Sequence, residues 1–413
     1  MSSTKSQTRS TTFYPFEIEP TPDSCWSIHA GPDGRIYVAA CCEHISGGVA
    51  HIMRYNEQTD SLDHVLNVAA AVGEPPDSGR ASQCKIHDSF APSAEDGILY
   101  AATHLSAPGV GQKQFAHWGE WKNAKTGFPG SYLIAYDTRR DEVAWTCPFI
   151  PHEGCRCLAL DNQRGRLYAM SYPRDHFWVF DLSSRELRSF GRLGSVNSQT
   201  IFTDRRGRVF TSNDQGQIVR FDPDTDVLEE LPIFVPYTEG LTRWHNVFYD
   251  IVASPAGDCV YGVPWAIDPH LFRYWPEEGP HGRMEDLGPV HQRRDSCVAM
   301  SYGQDHCGGL VFGADGMLYY VKSRWPDGQE RRPRGDVMEG VVVQMDPASG
   351  KRCDFAMLTR QGGMANYASR GARDRFGHLY FGQGAKTGVG MARLVMGHNG
   401  DAANLHEPLR TWG

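Results

Sequence analysis

The sequence predicts an all-β fold, a seven-bladed β-propeller with four antiparallel strands in each blade. Three observations carry the prediction. A tetrapeptide of the form Gly-x-apolar-Tyr/Phe recurs as GRIY at 34–37, GILY at 97–100, GRLY at 165–168, GRVF at 207–210, GMLY at 316–319 and GHLY at 377–380, and GDCVY at 257–261 is a seventh copy with one insertion. The spacing of its aromatics runs from 42 residues, Tyr168 to Phe210, up to 68, Tyr100 to Tyr168. That is the length of a four-stranded blade and too long for leucine-rich or ankyrin repeats. The 44 Gly and 25 Pro among 413 residues supply the many turns such a ring needs.

Each element follows from the repeat. Before the copies stand short alternating runs that end in a turn (SIHAGPDG, CLALDNQRG, TIFTDRRG, IVASPAGD, LVFGADG), which read as a first strand and a tight hairpin. The copy itself opens the second strand. A third apolar run and an Asp-containing turn come next, as in LIAYDTRRDEV, WVFDLSSREL, IVRFDPDTDVL and VVQMDPASGKR, and give strands three and four. After MARLVMGHN the last blade lacks an obvious fourth strand, and TFYPFEIEP near the N-terminus resembles the outer-strand segment EDLGPV. Residues 1–413 are therefore expected to form one domain, with a strand near 12–19 closing the ring and LHEPLRTWG as the alternative closure.

Composition narrows the function. A net charge of −8 disfavours nucleic acid and membrane surfaces as partners, since both are polyanionic. The longest apolar runs are strand-length, short of the roughly 20 residues that span a bilayer. MSSTKSQTRSTTFYP has no apolar stretch of the secretory kind, so a cytoplasmic location is expected, with secretion after signal removal as the alternative. Eleven cysteines is an odd number, and several, the Cys41–Cys42 pair included, fall inside strands; buried thiols are expected rather than a disulfide framework.

Blade geometry places the candidate site. In an up-and-down blade the loops joining strands one to two and three to four share one face of the disc. The remaining loops share the other. The first set is short (DNQRG, TDRRG, DPDT), whereas the second contains the long segments 106–130, 235–246, 291–307 and 323–340, so one mouth collects the variable loops where binding residues concentrate. His87 enters the first strand of blade two and His104 leaves the second, which brings both to that mouth, about 5 Å apart at Cβ. The residue four beyond the repeat's aromatic reads Cys41, His104, Tyr172, Asp214, Trp265, Ser323 and Gly384 around the ring, which puts His104 and Tyr172 on adjacent blades.

The pair CKIHDSF and ATHLSAPG, followed by LYAMSYPRDHFWVFDL and FGRLG, resembles the seven-bladed propeller polysaccharide lyases that cut uronate polymers, the ulvan lyases and the fungal lyases acting on rhamnosyl-glucuronate ends of gum arabic. The resemblance implies a site of two histidines, a tyrosine and an arginine at His87, His104, Tyr172 and Arg192, with Arg188 as a rival for the arginine. It implies β-elimination at C4 of a glucuronate bearing α-linked rhamnose, giving a 4,5-unsaturated uronate. The chemistry itself asks for such groups: a fixed cation to hold the carboxylate and stabilise the enolate, and a base and an acid for the C5 proton and the departing O4. His104 and Tyr172 are expected to act as base and acid, with His87 orienting or neutralising.

Lys85, Arg243 and His245 are expected to bind substrate, as are Trp118 and Trp265 through stacking, and Trp121, Trp325 and Arg294 stand in or beside the same loops. The partner expected is a uronate-containing oligo- or polysaccharide. The chemistry requires no cofactor; a structural zinc or calcium is the metal alternative, with His245, Cys297, His306 and Cys307 as candidate ligands that follow no recognised zinc spacing. The competing readings are a propeller α-L-rhamnosidase, a metal-dependent oligogalacturonate lyase and a non-catalytic glycan-binding propeller.

Overall fold

In a computed structural model, the structure describes residues 9–75, 78–106, 123, 125–195, 198–237, 246–266, 269–291, 307–324, 339–360, 363–364, 368–383, 389–397 and 410–411. Seven separate antiparallel sheets make up the ring. Blade three is typical, with Gly154–Asp161 innermost and then Arg166–Tyr172, His176–Asp181 and Leu187–Arg192 paired outward in chain order. Among the described residues one α-helix occurs, the single turn Val68–Ala71, capped by the Asn67 side chain. The fold is the propeller that the repeat predicts.

The repeat is legible in physical terms. The glycines that open the seven copies, Gly34, Gly97, Gly165, Gly207, Gly257, Gly316 and Gly377, all have positive φ, between 61° and 87°, where a Cβ is strained. The tyrosines that end the copies are buried, and several donate their hydroxyl back to an Asp of the same hairpin: Tyr37 to Asp33 at 3.0 Å, Tyr319 to Asp315 at 2.7 Å, Tyr380 to Asp374 at 2.8 Å. The outer turns share a second device. An Asp carboxylate accepts backbone N–H groups two or three residues on (Asp137, Asp181, Asp222, Asp346), and the chain leaves through a left-handed residue at Asp141, Arg185, Asp226 or Gly350.

Apolar side chains fill the spaces between blades, as with Ile52, Leu66, Ile86 and Leu99 between blades one and two. The innermost strands also meet near the axis. A Cβ on Gly371 would lie 2.5 Å from the Gly309 carbonyl oxygen, so blades six and seven approach there only through glycine. Thr12–Pro15 pairs with Gly390–Leu394 and supplies the outer strand of blade seven. At the other end of the chain, Arg410–Thr411 pairs with Cys353 and Asp354 on blade six. The described cysteines are free thiols.

Candidate active site

The site begins where the inner strand of blade two leaves its ladder. Phe90–Ser93 pairs regularly with Ile98–Ala102, but beyond it the next bridge forms between Lys85 and His104, so the ladder is interrupted between them and His87 is not paired across the hairpin. The Ser89 N–H donates to the His87 carbonyl at 2.7 Å and the Asp88 N–H donates to His87 Nδ1 at 2.8 Å. With Nδ1 an acceptor, the ring hydrogen lies on Nε2.

Blade three docks against this loop. The Cys155 N–H donates to the Thr103 carbonyl at 2.9 Å and the Leu158 N–H to the Asp88 carbonyl at 3.0 Å. Gly154 makes the approach possible, since a Cβ there would stand 2.7 Å from the Leu105 nitrogen and 3.0 Å from the His104 Cα. A β-bulge between Cys155 and Cys157 then leaves Arg156 without a partner in the ladder. Bulges re-aim side chains beside active sites, and this one sets Arg156 Nη1 3.4 Å from His104 Nε2. A guanidinium can only donate, so Nε2 is the acceptor of that contact.

Four rings stack across blades one to three. Trp26 lies on His87 with centroids 5.1 Å apart and planes 14° apart, His87 faces His104 at 5.5 Å, and His104 stacks on Tyr172 at 4.9 Å. The two imidazoles are buried. The outer rings, Trp26 and Tyr172, are partly exposed, as is Arg156, whose guanidinium lies 5.2 Å from the Tyr172 ring centre. Behind Tyr172 the buried Glu153 carboxylate accepts from the Ser171 hydroxyl and from Arg174 Nε, which fastens the end of the tyrosine's strand.

Charge around the stack is arranged in pairs with one cation left over. Glu43 accepts from Lys85 Nζ at 2.8 Å and from Trp26 Nε1 at 2.8 Å. Burial works against its charge, yet Lys85 and the Trp26 hydrogen bond hold the carboxyl down to about 2. On the propeller axis, Arg370 Nε lies 3.1 Å from Asp88 and 3.7 Å from Asp250, while its Nη groups donate to the carbonyls of Ser369 and Gln199. Burial raises Asp250 to about 6 despite Arg370. Burial first, then the charges of Arg156 and Lys85, push His87 well below the ordinary imidazole value, so it stays neutral and can donate from Nε2 but cannot neutralise by charge. Arg156 makes no ion pair among the described residues; burial lowers its pKa against the smaller opposing effects of Tyr172 and Glu43, and a guanidinium starts far enough above neutrality to stay charged.

Comparison with known proteins adds the fold and stops there. No family model matches the chain, and no curated protein does. Among solved structures, the WD40 repeats of RRP9 match at a TM-score of 0.56 with 9 % identity, over 94 % of this chain and 98 % of that one. A protein described as the extracellular domain of a one component system from B. thetaiotaomicron matches at 0.54 with 14 % identity over 94 % of this chain. The chain spans only 40 % of the length of that protein. The likeness is one of fold.

The structure brings His87, His104 and Tyr172 together and sets Arg156, not Arg192 or Arg188, beside them. Arg192 sits exposed at the end of blade three's outermost strand, paired in register with His176, and its Nε donates to the Gly194 carbonyl at 2.6 Å. Arg188 pairs with Asp226 at 2.7 Å on the same outer edge. Arg156 is the arginine that reaches His104, at 3.4 Å. Lys85 is buried against Glu43 with its ammonium 4.5 Å over the Trp26 ring. Trp265 ends the second strand of blade five opposite Val247 and packs into the core between blades five and six. Trp118, Trp121, Arg243, His245, Arg294, Cys297, His306 and Trp325 lie outside the described residues. Among the described residues no group of three metal-ligating side chains converges, and Cys307 is a buried thiol.

Proposed function

We propose that the chain is a polysaccharide lyase that breaks the C4–O4 bond of a glucuronate by β-elimination, on an α-L-rhamnosyl-(1,4)-glucuronate linkage. The single observation that carries this reading is the 3.4 Å between Arg156 Nη1 and His104 Nε2. In a uronate the acidic proton sits on C5 and the carboxylate on the adjoining carbon. A base for the one and a clamp for the other must therefore stand within a few ångströms, as these two do. The rhamnosyl part rests on the resemblance of blades two and three to the rhamnosyl-glucuronate lyases.

The steps balance with the side chains present. Arg156 takes the carboxylate, and the carboxylate draws the guanidinium off Nε2 and uncovers its lone pair. His104 Nε2 removes the C5 proton while the carboxylate, held by Arg156 and by the Nε2 hydrogen of His87, carries the enolate charge. The C5 electrons form the C4=C5 bond, the C4–O4 bond breaks, and the Tyr172 phenol gives O4 its proton. His104 later returns a proton to Tyr172 or to solvent.

The test is incubation with a rhamnose-capped glucuronide and mass spectrometry of the products. Elimination gives fragments whose masses sum to the substrate, with an ultraviolet-absorbing unsaturated uronate. Fragments that sum to substrate plus water identify a hydrolase and overturn the reading.

A further inference from the structure

The column of residues that builds the stack continues around the ring. In blades one, two and three the residue that faces the fourth position beyond the repeat's aromatic is Ser24, Lys85 and Gly154. Two residues further along stand Trp26, His87 and Arg156. In blade five the pairing of Val247 with Trp265 fixes the same register, and two residues beyond Val247 stands Tyr249. Like Arg156 it sits in a β-bulge, here between Phe248 and Asp250, and has no partner in the ladder.

Tyr249 is 4 % exposed and its hydroxyl has no hydrogen-bond partner among the described residues. A buried hydroxyl without a partner is uncommon and calls for an explanation. Two cations lie within electrostatic reach of it, Arg370, 5.2 Å from its ring centre, and Arg156, whose Nε is also buried and without a hydrogen bond. Burial raises the phenol to about 12, so it is a donor and not a base. Gly308 makes room for the ring: a Cβ there would lie 3.0 Å from Tyr249 Cε1.

Resting on the lyase reading for the identity of the ligand, we propose that Tyr249 is a further substrate-binding residue whose hydroxyl donates to the uronate carboxylate from the far side of the axis, opposite His104. The guanidinium of Arg156 and the phenol of Tyr249 then grip one monoanion between them. The site accordingly selects a sugar acid over the corresponding neutral sugar, and the binding contribution comes from blade five as well as from blades one to three.

The experiment is Tyr249→Phe, which removes one oxygen. Binding of glucuronate and of methyl glucoside is measured by calorimetry in both proteins, with thermal unfolding of each in the absence of ligand. Glucuronate should bind about tenfold or more weakly to the variant, the usual loss when a hydrogen bond to a charged group is removed. Methyl glucoside should show no difference. The ligand-free variant should melt at the same temperature as the wild type or higher, because no hydrogen bond among the described residues is lost; a merely structural tyrosine would melt lower. Equal glucuronate affinities, or a wild-type protein that does not bind glucuronate, overturn the proposal. Elimination of a rhamnosyl-glucuronide with unchanged glucuronate affinity in the variant would retain the lyase and remove Tyr249 from its site, whereas a tenfold loss in a protein that makes no unsaturated product would retain the contact and remove the lyase.

Discussion

Two histidine pairs stand in neighbouring blades, and the contrast between them separates a reactive arrangement from an ordinary one. In blade one, His51 Nδ1 and His64 Nε2 share a hydrogen bond of 2.9 Å, so the two rings are each other's partner. In blade two, His87 and His104 lie face to face at 5.5 Å; each takes its hydrogen bond from elsewhere, His87 from the Asp88 N–H and His104 from Arg156. Both pairs place one imidazole near another. Only the second sets one beside an unbalanced cation, with aromatic rings closing the stack at either end. Proximity of two histidines says little, and the group that each ring nitrogen meets says most.

The largest effects expected separate the pairs by activity. His104→Ala should lower elimination of a rhamnosyl-glucuronide by about 10²–10⁴-fold with the fold intact, the range for removing a general base, while His64→Ala should leave the rate unchanged. Equal losses in the two variants would erase the distinction. Arg156→Ala should cost about 10²–10³-fold, as for a group that stabilises developing negative charge, and Arg192→Ala should cost nothing measurable in the same ultraviolet assay.

Stability sharpens the comparison next. Glu43→Gln removes the carboxylate that faces the buried Lys85 ammonium, and about 3 kcal/mol of stability should go with it, read as the shift in denaturant midpoint. The smallest effect belongs to the blade-one pair. Burial, and then His64, hold His51 at about 4, below the ordinary value, so the folded state prefers it neutral. The stability this confers is complete above the unfolded value near 6.5 and is lost as pH falls toward 4, on the order of 2–3 kcal/mol in all. His51→Gln should flatten the unfolding curve over that interval; an unchanged slope would show that the pair is not coupled to pH.

Most of the architecture was legible because each blade repeats the same constraint. A left-handed backbone at the hairpin requires Gly34 and its six equivalents, and a buried Tyr that must find an acceptor requires the Asp of its own turn. The same periodicity led to His104 and Tyr172, which occupy one position of the repeat in successive blades. Arg156 and Trp26 escaped because they belong to a second column, that of His87, and the bulge that turns Arg156 inward adds a residue that a strict period of two does not anticipate. The signal was present as charged residues in strands that should be apolar throughout: Lys85, Asp88, Arg156, Asp250 and Arg370 all lie on or just before innermost strands. The resemblance points to Arg192 through FGRLG, and a linear motif does not distinguish a strand at the rim from one at the axis.

The axial position of Arg370 has a consequence for how the molecule comes into being. Every side chain of the stack lies between Trp26 and Tyr172 in the sequence, whereas the guanidinium that joins Asp88, Asp250 and the Gln199 carbonyl arrives with blade seven. That blade is in turn finished by Thr12–Pro15, the most N-terminal of the described strands. The nascent chain thus carries the chemical groups long before it can lock them, and the same act that completes blade seven drives the central bolt home.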